Sequence, residues 1–170
     1  MEFDVFVEIP RNTRNKYEWD PVKKRIRLDR MLFTSTGYPY DYGFVPDTLA
    51  QDGEAIDAMV LLDEPTYPGI MIRSRLVAVY WMLDEGIPDA KLVCVPATDP
   101  RAEHIRDVHH IPTYVRDEIG HFFEIYKQLE KVQIDDPDKV TQGLHWDDRA
   151  GAEKVLRESR ERWAASQAAE

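Results

Sequence analysis

Acidic residues crowd the segment QDGEAIDAMVLL, residues 51–62, directly before an apolar run that is typical of a strand. Asp52, Glu54 and Asp57 lie within six positions of one another. Carboxylates at this spacing repel each other, and either open water or a bound cation must relieve the repulsion. The segment therefore predicts either a solvated turn or one edge of a cation site.

Charged and phenolic residues in other segments extend this reasoning. They are Glu8, Lys16, Glu18, Arg30, Tyr38, Tyr42, Asp84, Glu85, Asp89, Lys91, Tyr126 and Lys127. Each alone is also typical of a solvated strand face, a polar loop or a packed core. Together, carboxylates from several loops suit a hard cation, Mg²⁺ foremost, and Lys, Arg and Tyr suit a phosphate-like anion. The combination predicts phosphoryl transfer to water, in which metals bridge phosphate oxygens and a carboxylate takes the proton of the attacking water.

The residue patterns of several other chemistries are missing. The sequence has no GxGxxG, GK[ST] loop, HExxH or paired CxxC, and its five His lack the spacing of a zinc site. None of the four Ser lies in a G-x-S-x-G setting. DGEAID also lacks the alternating ligands of an EF-hand loop. The sequence therefore argues against zinc, serine-nucleophile and calcium-loop chemistry.

Length and charge narrow the class of protein. At 170 residues, the sequence predicts one domain over residues 1–170. The net charge of −10 argues against nucleic-acid binding. No apolar run approaches the roughly 20 residues of a membrane span, the N-terminus lacks the basic start of a signal peptide, and Cys94 is a single cysteine. We therefore expect a cytoplasmic protein with neither a nucleic-acid nor a membrane partner.

The spacing of apolar residues changes along the chain. Strand patterns cover residues 3–9, 14–20, 25–30, 55–62, 69–83 and 91–96. Alternation places Lys16 and Glu18 on one strand face. Apolar residues at three- and four-residue steps then predict a helix from near Pro112 to Leu129. A similar spacing predicts a second helix over residues 152–163, with Asp147 or Asp148 as its N-cap. Strands followed by two helices favour an α+β domain, a β-barrel with helices outside.

The connections carry many of the candidate residues. Tyr38 and Tyr42 flank a Pro-Tyr-Asp sequence that predicts a turn. The segment LDEGIPDAKL, residues 83–92, predicts a polar loop between two strands. Tyr126 and Lys127 are expected on the first helix, with Tyr126 in its apolar stripe.

Five segments carry a resemblance to a known family. They are VEIPRNTRNKYEWD, LDRMLFTSTGYPYDYGFVPDTL, DGEAID, PGIMIRSRLVAVYWMLDEGIPDAKLVCVP and HFFEIYKQLE, in this order. In these motifs the chain resembles the soluble family I inorganic pyrophosphatases of the short bacterial type, almost from end to end. The resemblance implies a mainly β, α+β fold: an OB-like closed barrel of five strands with two flanking helices. It also implies a homohexamer that hydrolyses pyrophosphate to two phosphates with several Mg²⁺ ions per active site.

The resemblance further implies a role for each candidate residue. The metal ligands would be Glu8, Asp52, Asp57, Asp84 and Asp89, with Asp57 bridging the two metals that bind before the substrate. The substrate would be bound by Lys16, Glu18, Arg30, Tyr42, Lys91, Tyr126 and Lys127, and Tyr38 and Glu85 would support the site. Catalysis would involve Glu54, Asp57, Tyr42, Lys16 and Arg30. A water that bridges two metals would attack the substrate directly.

One position departs from the family pattern. Where relatives usually have D-G-D-P-x-D, this chain has Glu54 followed by Ala55. Position 54 is expected to hold the proton acceptor, and Glu reaches about 1.5 Å further than Asp. We expect Glu54 to act as the base, with an altered rate or metal preference. Two alternatives stay open: an Mg²⁺-dependent phosphohydrolase of nucleotides or organic diphosphates, and a non-catalytic phosphate- or metal-binding relative.

Overall fold

The structure is a computed structural model and describes residues 1–133 and 141–169. Its strands are β1 (Glu2–Ile9), β2 (Asn15–Asp20), β3 (Arg25–Met31), β4 (Asp41–Phe44), β5 (Asp57–Val60), β6 (Met71–Asp84), β7 (Ile87–Pro96) and β8 (Thr141–Asp147). Its α-helices are α1 (Thr113–Ile125), α2 (Gln128–Gln133) and α3 (Arg149–Ala168). No helix in these residues is both long and apolar enough to cross a bilayer.

Five strands close into a barrel. β1, β4, β5, β7 and β6 pair in that order, and β6 pairs with β1 to complete the ring. The β5–β7 pair is parallel and the other pairs in the ring are antiparallel. β8 pairs with β6, while β2 and β3 form a separate hairpin. The expected mainly β, OB-like closed barrel of five strands is therefore confirmed.

The two long helices pack against the strands through their apolar faces, as their spacing predicts. From α1, Val115, Ile119, Phe122 and Phe123 join one buried cluster. From α3, Ala152 and Leu156 join a second cluster. Asp148 caps α3 by accepting a 2.9 Å hydrogen bond from the Gly151 amide, which decides between the two predicted caps.

Two strands, β4 and β8, were not predicted. The β4 segment lies where the sequence predicts only a Pro-Tyr-Asp turn, because its four residues include Gly43 and lie between Pro39 and Pro46. Tertiary pairing outweighs this local signal, since β4 lies between β1 and β5. Gly43 permits the pairing: a Cβ atom there would overlap the carbonyl oxygen of Phe6 on β1. Tyr42 therefore lies in a barrel strand.

The predicted polar loop over residues 83–92 is wrong in its extent. β6 continues to Asp84, and the chain reverses through Glu85 and Gly86 alone. Both turn residues have positive φ, 52° and 82°, as a tight hairpin turn with the twist of its strands requires. Asp89 and Lys91 consequently lie on β7, where the strand fixes their direction.

The first predicted helix also ends earlier than expected. α1 stops at Ile125, Tyr126 and Lys127 form a turn, and Leu129 belongs to α2. Tertiary contacts explain the break, because both turn residues are buried and Lys127 binds an acidic residue of β6.

Candidate active site

Strand register places a buried lysine between two acidic residues. Asp57 opens β5 and pairs with Lys91 on the parallel strand β7, and Asp89 lies two residues before Lys91 on the same face. The Lys91 Nζ atom donates to the Asp57 carboxylate and lies 2.6 Å from the Asp89 carboxylate. Burial acts to lower the pKa of Lys91, but the two acids outweigh it and hold that pKa well above its ordinary value. Lys91 is therefore charged and holds both acids in place.

A second lysine binds the acidic residue at the end of β6. The Lys127 Nζ atom donates to both oxygens of Asp84, at 2.7 and 2.6 Å, and lies 3.7 Å from Glu85. The neighbouring Tyr126 is buried, and burial keeps the pKa of its phenol well above the ordinary value, with Lys91 opposing the rise and the charge of Asp84 adding to it. Its hydroxyl is thus a neutral hydrogen-bond donor beside the lysine.

The β2–β3 hairpin contributes two further cations, Lys16 and Arg30. Lys16 and Glu18 share a face of β2, as predicted, and their side chains are joined at 2.5 Å. Lys16 pairs across the hairpin with Arg30 of β3. The Arg30 guanidinium donates to both carboxylate oxygens of Glu130, at 2.8 and 3.1 Å, and to Asp29. The orientation of Arg30 is therefore fixed by two carboxylates.

Sequence reasoning missed Asp29 and Glu130. Asp29 is the extra residue of a β-bulge, because Lys16 pairs with Arg30 whereas Tyr17 pairs with Leu28. The bulge lets Asp29 contact Arg30 and approach Lys16 at 3.7 Å, although alternation places neighbours on opposite faces. Glu130 lies 100 residues from Arg30 in sequence, so no local pattern could indicate the pair.

Glu8 occupies a second β-bulge. On β1, Val7 pairs with Gly43 and Ile9 with Tyr42, which leaves Glu8 without an opposite residue on β4. Its carboxylate accepts a 2.6 Å hydrogen bond from the Trp19 amide of β2. Burial raises the pKa of Glu8 to about 7, the Trp19 hydrogen bond opposes this rise, and the charge of Asp57 adds to it.

Two buried tyrosines lie against the lysine–acid cluster. The rings of Tyr38 and Tyr42 have centroids 5.2 Å apart, and Lys91 Nζ lies 5.7 Å from the centroid of Tyr42. Burial raises the pKa of both phenols, and the charge of Asp57 acts in the same direction. Both hydroxyls therefore stay protonated at neutral pH.

The acidic residues Asp52 and Glu54 lie in a loop directly before β5. The Asp52 carboxylate accepts a 2.9 Å hydrogen bond from the Glu54 amide, and the Glu54 carbonyl accepts one of 2.6 Å from the Ala50 amide. The Glu54 side chain is exposed. Partial burial raises its pKa, and the charges of Asp52 and Asp57 raise it further.

All fifteen predicted residues are connected by contacts or electrostatic interactions, and Asp57 takes part in several of them. The charge of Asp57 alters the pKa values of Glu8, Tyr38, Tyr42, Glu54, Asp89 and Lys91. The charges of Asp52 and Lys16 act on Glu54, and Lys16 is hydrogen-bonded to Glu18. The charge of Arg30 acts on Tyr38. The charge of Asp84 acts on Asp89, and that of Tyr126 acts on Lys91. Lys127 forms ion pairs with Asp84 and Glu85.

The donor set suits a hard divalent cation. The acids supply only oxygen ligands, as Mg²⁺ prefers. The pKa of Asp89 is raised by burial and by the charge of Asp57, against the opposing effect of Lys91, so one lysine does not compensate both acids. In residues 1–133 and 141–169 no three acidic, His or Cys side chains already converge as a ready metal cage. A cation would therefore draw the acids together while it relieves their repulsion.

Comparison with known proteins identifies the family of the chain. A family model for inorganic pyrophosphatase matches residues 5–164. The inorganic pyrophosphatase of Streptomyces coelicolor is 54% identical over 163 residues, which cover 96% of each chain. That of Methanosarcina mazei is 48% identical and covers 94% of this chain and 90% of its own. The crystal structure of inorganic pyrophosphatase from Thermus thermophilus has a TM-score of 0.91 and 40% identity, covering 96% of this chain and 91% of that one. The resemblance noted in the sequence motifs is confirmed, and the chain belongs to the inorganic pyrophosphatase family.

Proposed function

We propose that this chain hydrolyses inorganic pyrophosphate to two phosphate ions with Mg²⁺ as its cofactor. The observation behind this proposal is the position of Asp57, which is connected to carboxylates and cations from five other strands and from the segments between elements. Its carboxylate accepts a bond from buried Lys91, and its charge acts on Glu8, Glu54 and Asp89. Membership of the family makes the chain a hydrolase of phosphoanhydride bonds.

The metal ions would be held by Glu8, Asp52, Asp57, Asp84 and Asp89. A divalent cation follows from the family, and the oxygen-only donor set supports Mg²⁺ in particular. Bound there, Mg²⁺ would neutralise charge on the phosphate oxygens and make a water molecule more acidic. Lys91 and Lys127 would orient the acids, since each already bonds to one or two of them.

The phosphate groups would be bound by Lys16, Arg30, Tyr126 and Lys127. Arg30 is the best supported of these, because Glu130 and Asp29 hold its guanidinium through three nitrogens. Each terminal nitrogen keeps a second N–H for a phosphate oxygen, and this planar arrangement suits phosphate. Glu18 and Asp29 would orient Lys16 from two sides.

Glu54 would accept the proton of the attacking water. Its side chain is exposed in the acidic loop, and the charges of Asp57 and Lys16 both act on it, so it interacts electrostatically with an expected metal ligand and with the phosphate-binding hairpin. A carboxylate whose pKa is raised is a stronger base than an ordinary one. Tyr38, Tyr42 and Glu85 would support the site, since each contacts or influences a charged member of it.

A substrate panel tests this function. Phosphate release should be measured from pyrophosphate, nucleoside di- and triphosphates and an organic diphosphate, each with Mg²⁺ and with EDTA. We expect kcat/KM for pyrophosphate with Mg²⁺ to exceed that for every other substrate by at least about 100-fold. Faster release from a nucleotide or an organic diphosphate would favour the broader phosphohydrolase. Release from none of them would favour a non-catalytic binding protein.

The assembly and location are further parts of the proposal. We expect a single-domain chain that forms a homohexamer in the cytoplasm, as the short bacterial type implies. Light scattering should give a mass six times that of the chain. A monomer mass would contradict the hexamer.

A further inference from the structure

The acidic loop, residues 45–56, is closed at its base by hydrogen bonds. The Val45 amide donates to the Ile56 carbonyl at 3.0 Å. The buried Thr48 hydroxyl donates to the Val45 carbonyl at 2.5 Å and accepts from the Ile56 amide at 3.0 Å. These bonds fix the base of the loop but leave its outer part, which carries Asp52 and Glu54, to other contacts.

Helix α3 holds the chain at Leu49, just beyond this base. The Leu49 amide donates to the Ser159 carbonyl of α3 at 2.9 Å. The Leu49 carbonyl accepts from Arg162 Nε at 2.8 Å. Leu49 is therefore held through both its amide and its carbonyl by one helix, and Arg162 is the side chain that completes the contact.

The contact at Leu49 is linked directly to the acidic residues. The next residue, Ala50, donates its amide to the Glu54 carbonyl at 2.6 Å, and the Glu54 amide donates to Asp52 at 2.9 Å. Ala55 follows without the fixed φ that a proline would impose. The loop thus depends on the hydrogen bonds at Leu49 for its placement.

The same face of α3 also lies near two expected metal ligands, Asp52 and Asp89. A cavity of about 40 Å³ separates the helix from the loop and from β7. Asp52 and Asp89 line this cavity together with Val155 and Arg162 of α3. The Arg162 side chain therefore lies next to the same small space as both acids.

We propose that Arg162 is a positioning residue that sets the placement of Asp52 relative to Asp89, and through Ala50 the placement of Glu54. The inference depends on the proposed metal site. Arg162 touches neither substrate nor metal, and it acts through Leu49. Its loss would weaken metal binding, because groups that orient metal ligands contribute 10- to 100-fold to affinity.

Binding of Mn²⁺ alone, measured by calorimetry without substrate, tests the proposal. Arg162→Met keeps the aliphatic stem and removes the donor, and the matched control is Arg157→Met, an exposed arginine on the same helix. We expect Arg162→Met to weaken Mn²⁺ binding about tenfold and to raise the half-activating Mg²⁺ concentration by a similar factor. Arg162→Lys, which retains a donor, should recover part of the affinity, and Arg157→Met should match the parent.

Hydrogen exchange distinguishes positioning from general stability. In Arg162→Met, amides of residues 48–56 should exchange faster while those of β6 and β7 keep the parent rates. A lower melting temperature with parent Mn²⁺ affinity and parent exchange in the loop would overturn the proposal. Failure of the proposed function looks different, since the parent itself would then release no phosphate from pyrophosphate.

Discussion

At the scale of single residues, an excess of acidic side chains surrounds two buried lysines, Lys91 and Lys127. Lys91 is only 4% exposed and bonds to both Asp57 and Asp89. A buried charge persists only when it is paired, so removal of Lys91 would leave two repelling acids in a poorly solvated place. The raised pKa of Asp89 shows that burial and the Asp57 charge already outweigh the single lysine. A bound divalent cation would neutralise the negative charge that Lys91 leaves uncompensated.

Glu54 gives the first prediction at this scale. The loop holds its backbone through the Ala50 amide, so a shorter side chain cannot compensate by moving inward. We expect Glu54→Asp to lower kcat for pyrophosphate by about 10- to 100-fold, because misplacement of a catalytic group by about 1 Å has effects of this size. The measurement is kcat against pH with Mg²⁺ and with Mn²⁺.

Glu54→Gln is the matched control, since it keeps the length and removes the base. It should lower kcat by about 100-fold or more. An Asp variant with the parent rate, pH profile and metal dependence would remove any special role for the longer side chain.

Glu8 gives a prediction about pH and stability in the presence of EDTA. Its pKa is about 7 in the folded protein, against 4.5 for an ordinary glutamate, because burial disfavours the charged form. Between these values the folded state binds more protons than the unfolded state. The contribution of Glu8 to the free energy of unfolding therefore falls as pH rises through this window, and above it the ionised group costs about 1–3 kcal/mol.

Glu8→Gln should remove this cost. In urea denaturation with EDTA, we expect the variant to be about 1–3 kcal/mol more stable than the parent at pH 8 and similar to it at pH 4.5. Asp4→Asn, an exposed acid on the same strand, should show no such difference. Equal stability of Glu8→Gln and the parent at pH 8 would show that ionisation of Glu8 does not lower the free energy of unfolding.

At the scale of elements, close strand approach positions Tyr42 and Glu8. Gly43 faces the Phe6 carbonyl so closely that no side chain fits. Gly43→Ala should force β1 and β4 apart and lower the free energy of unfolding by about 3 kcal/mol, the upper range for overpacking. The control is Gly120→Ala in α1, where the nearest atom to an added Cβ is 3.6 Å away. That change should be neutral or stabilising by up to about 1 kcal/mol, and equal losses in both variants would contradict the packing argument.

The elements also show what the sequence could predict. Alternation correctly places Lys16 with Glu18, and apolar spacing correctly predicts α1, α3 and six of the strands. It could not predict the bulges at Glu8 and Asp29, because a bulge breaks the period on which strand reasoning depends. Arg30 was a predicted site residue, but its partner Glu130 comes from a distant helix, and only the folded chain brings them together.

At the scale of the whole molecule, the barrel gathers residues from Glu8 to Lys127 at one site. Neighbouring strands place Asp57 beside Lys91, while the β2–β3 hairpin and the α1–α2 turn supply further cations. The motif resemblance predicts this set of fifteen residues, and in the structure Asp29 and Glu130 bond to one of its members, Arg30. Helix α3 holds the acidic loop through hydrogen bonds to the amide and the carbonyl of Leu49.

Phosphate release from pyrophosphate, followed while the metal is removed and returned, tests whether hydrolysis depends on a metal at this site. We expect rapid turnover with Mg²⁺, loss of turnover in excess EDTA, and recovery when Mg²⁺ is restored. Asp57→Asn, which neutralises the central acid, should show little turnover at any Mg²⁺ concentration. Hydrolysis that continues in EDTA, or that survives Asp57→Asn unchanged, would contradict a metal-dependent site centred on Asp57.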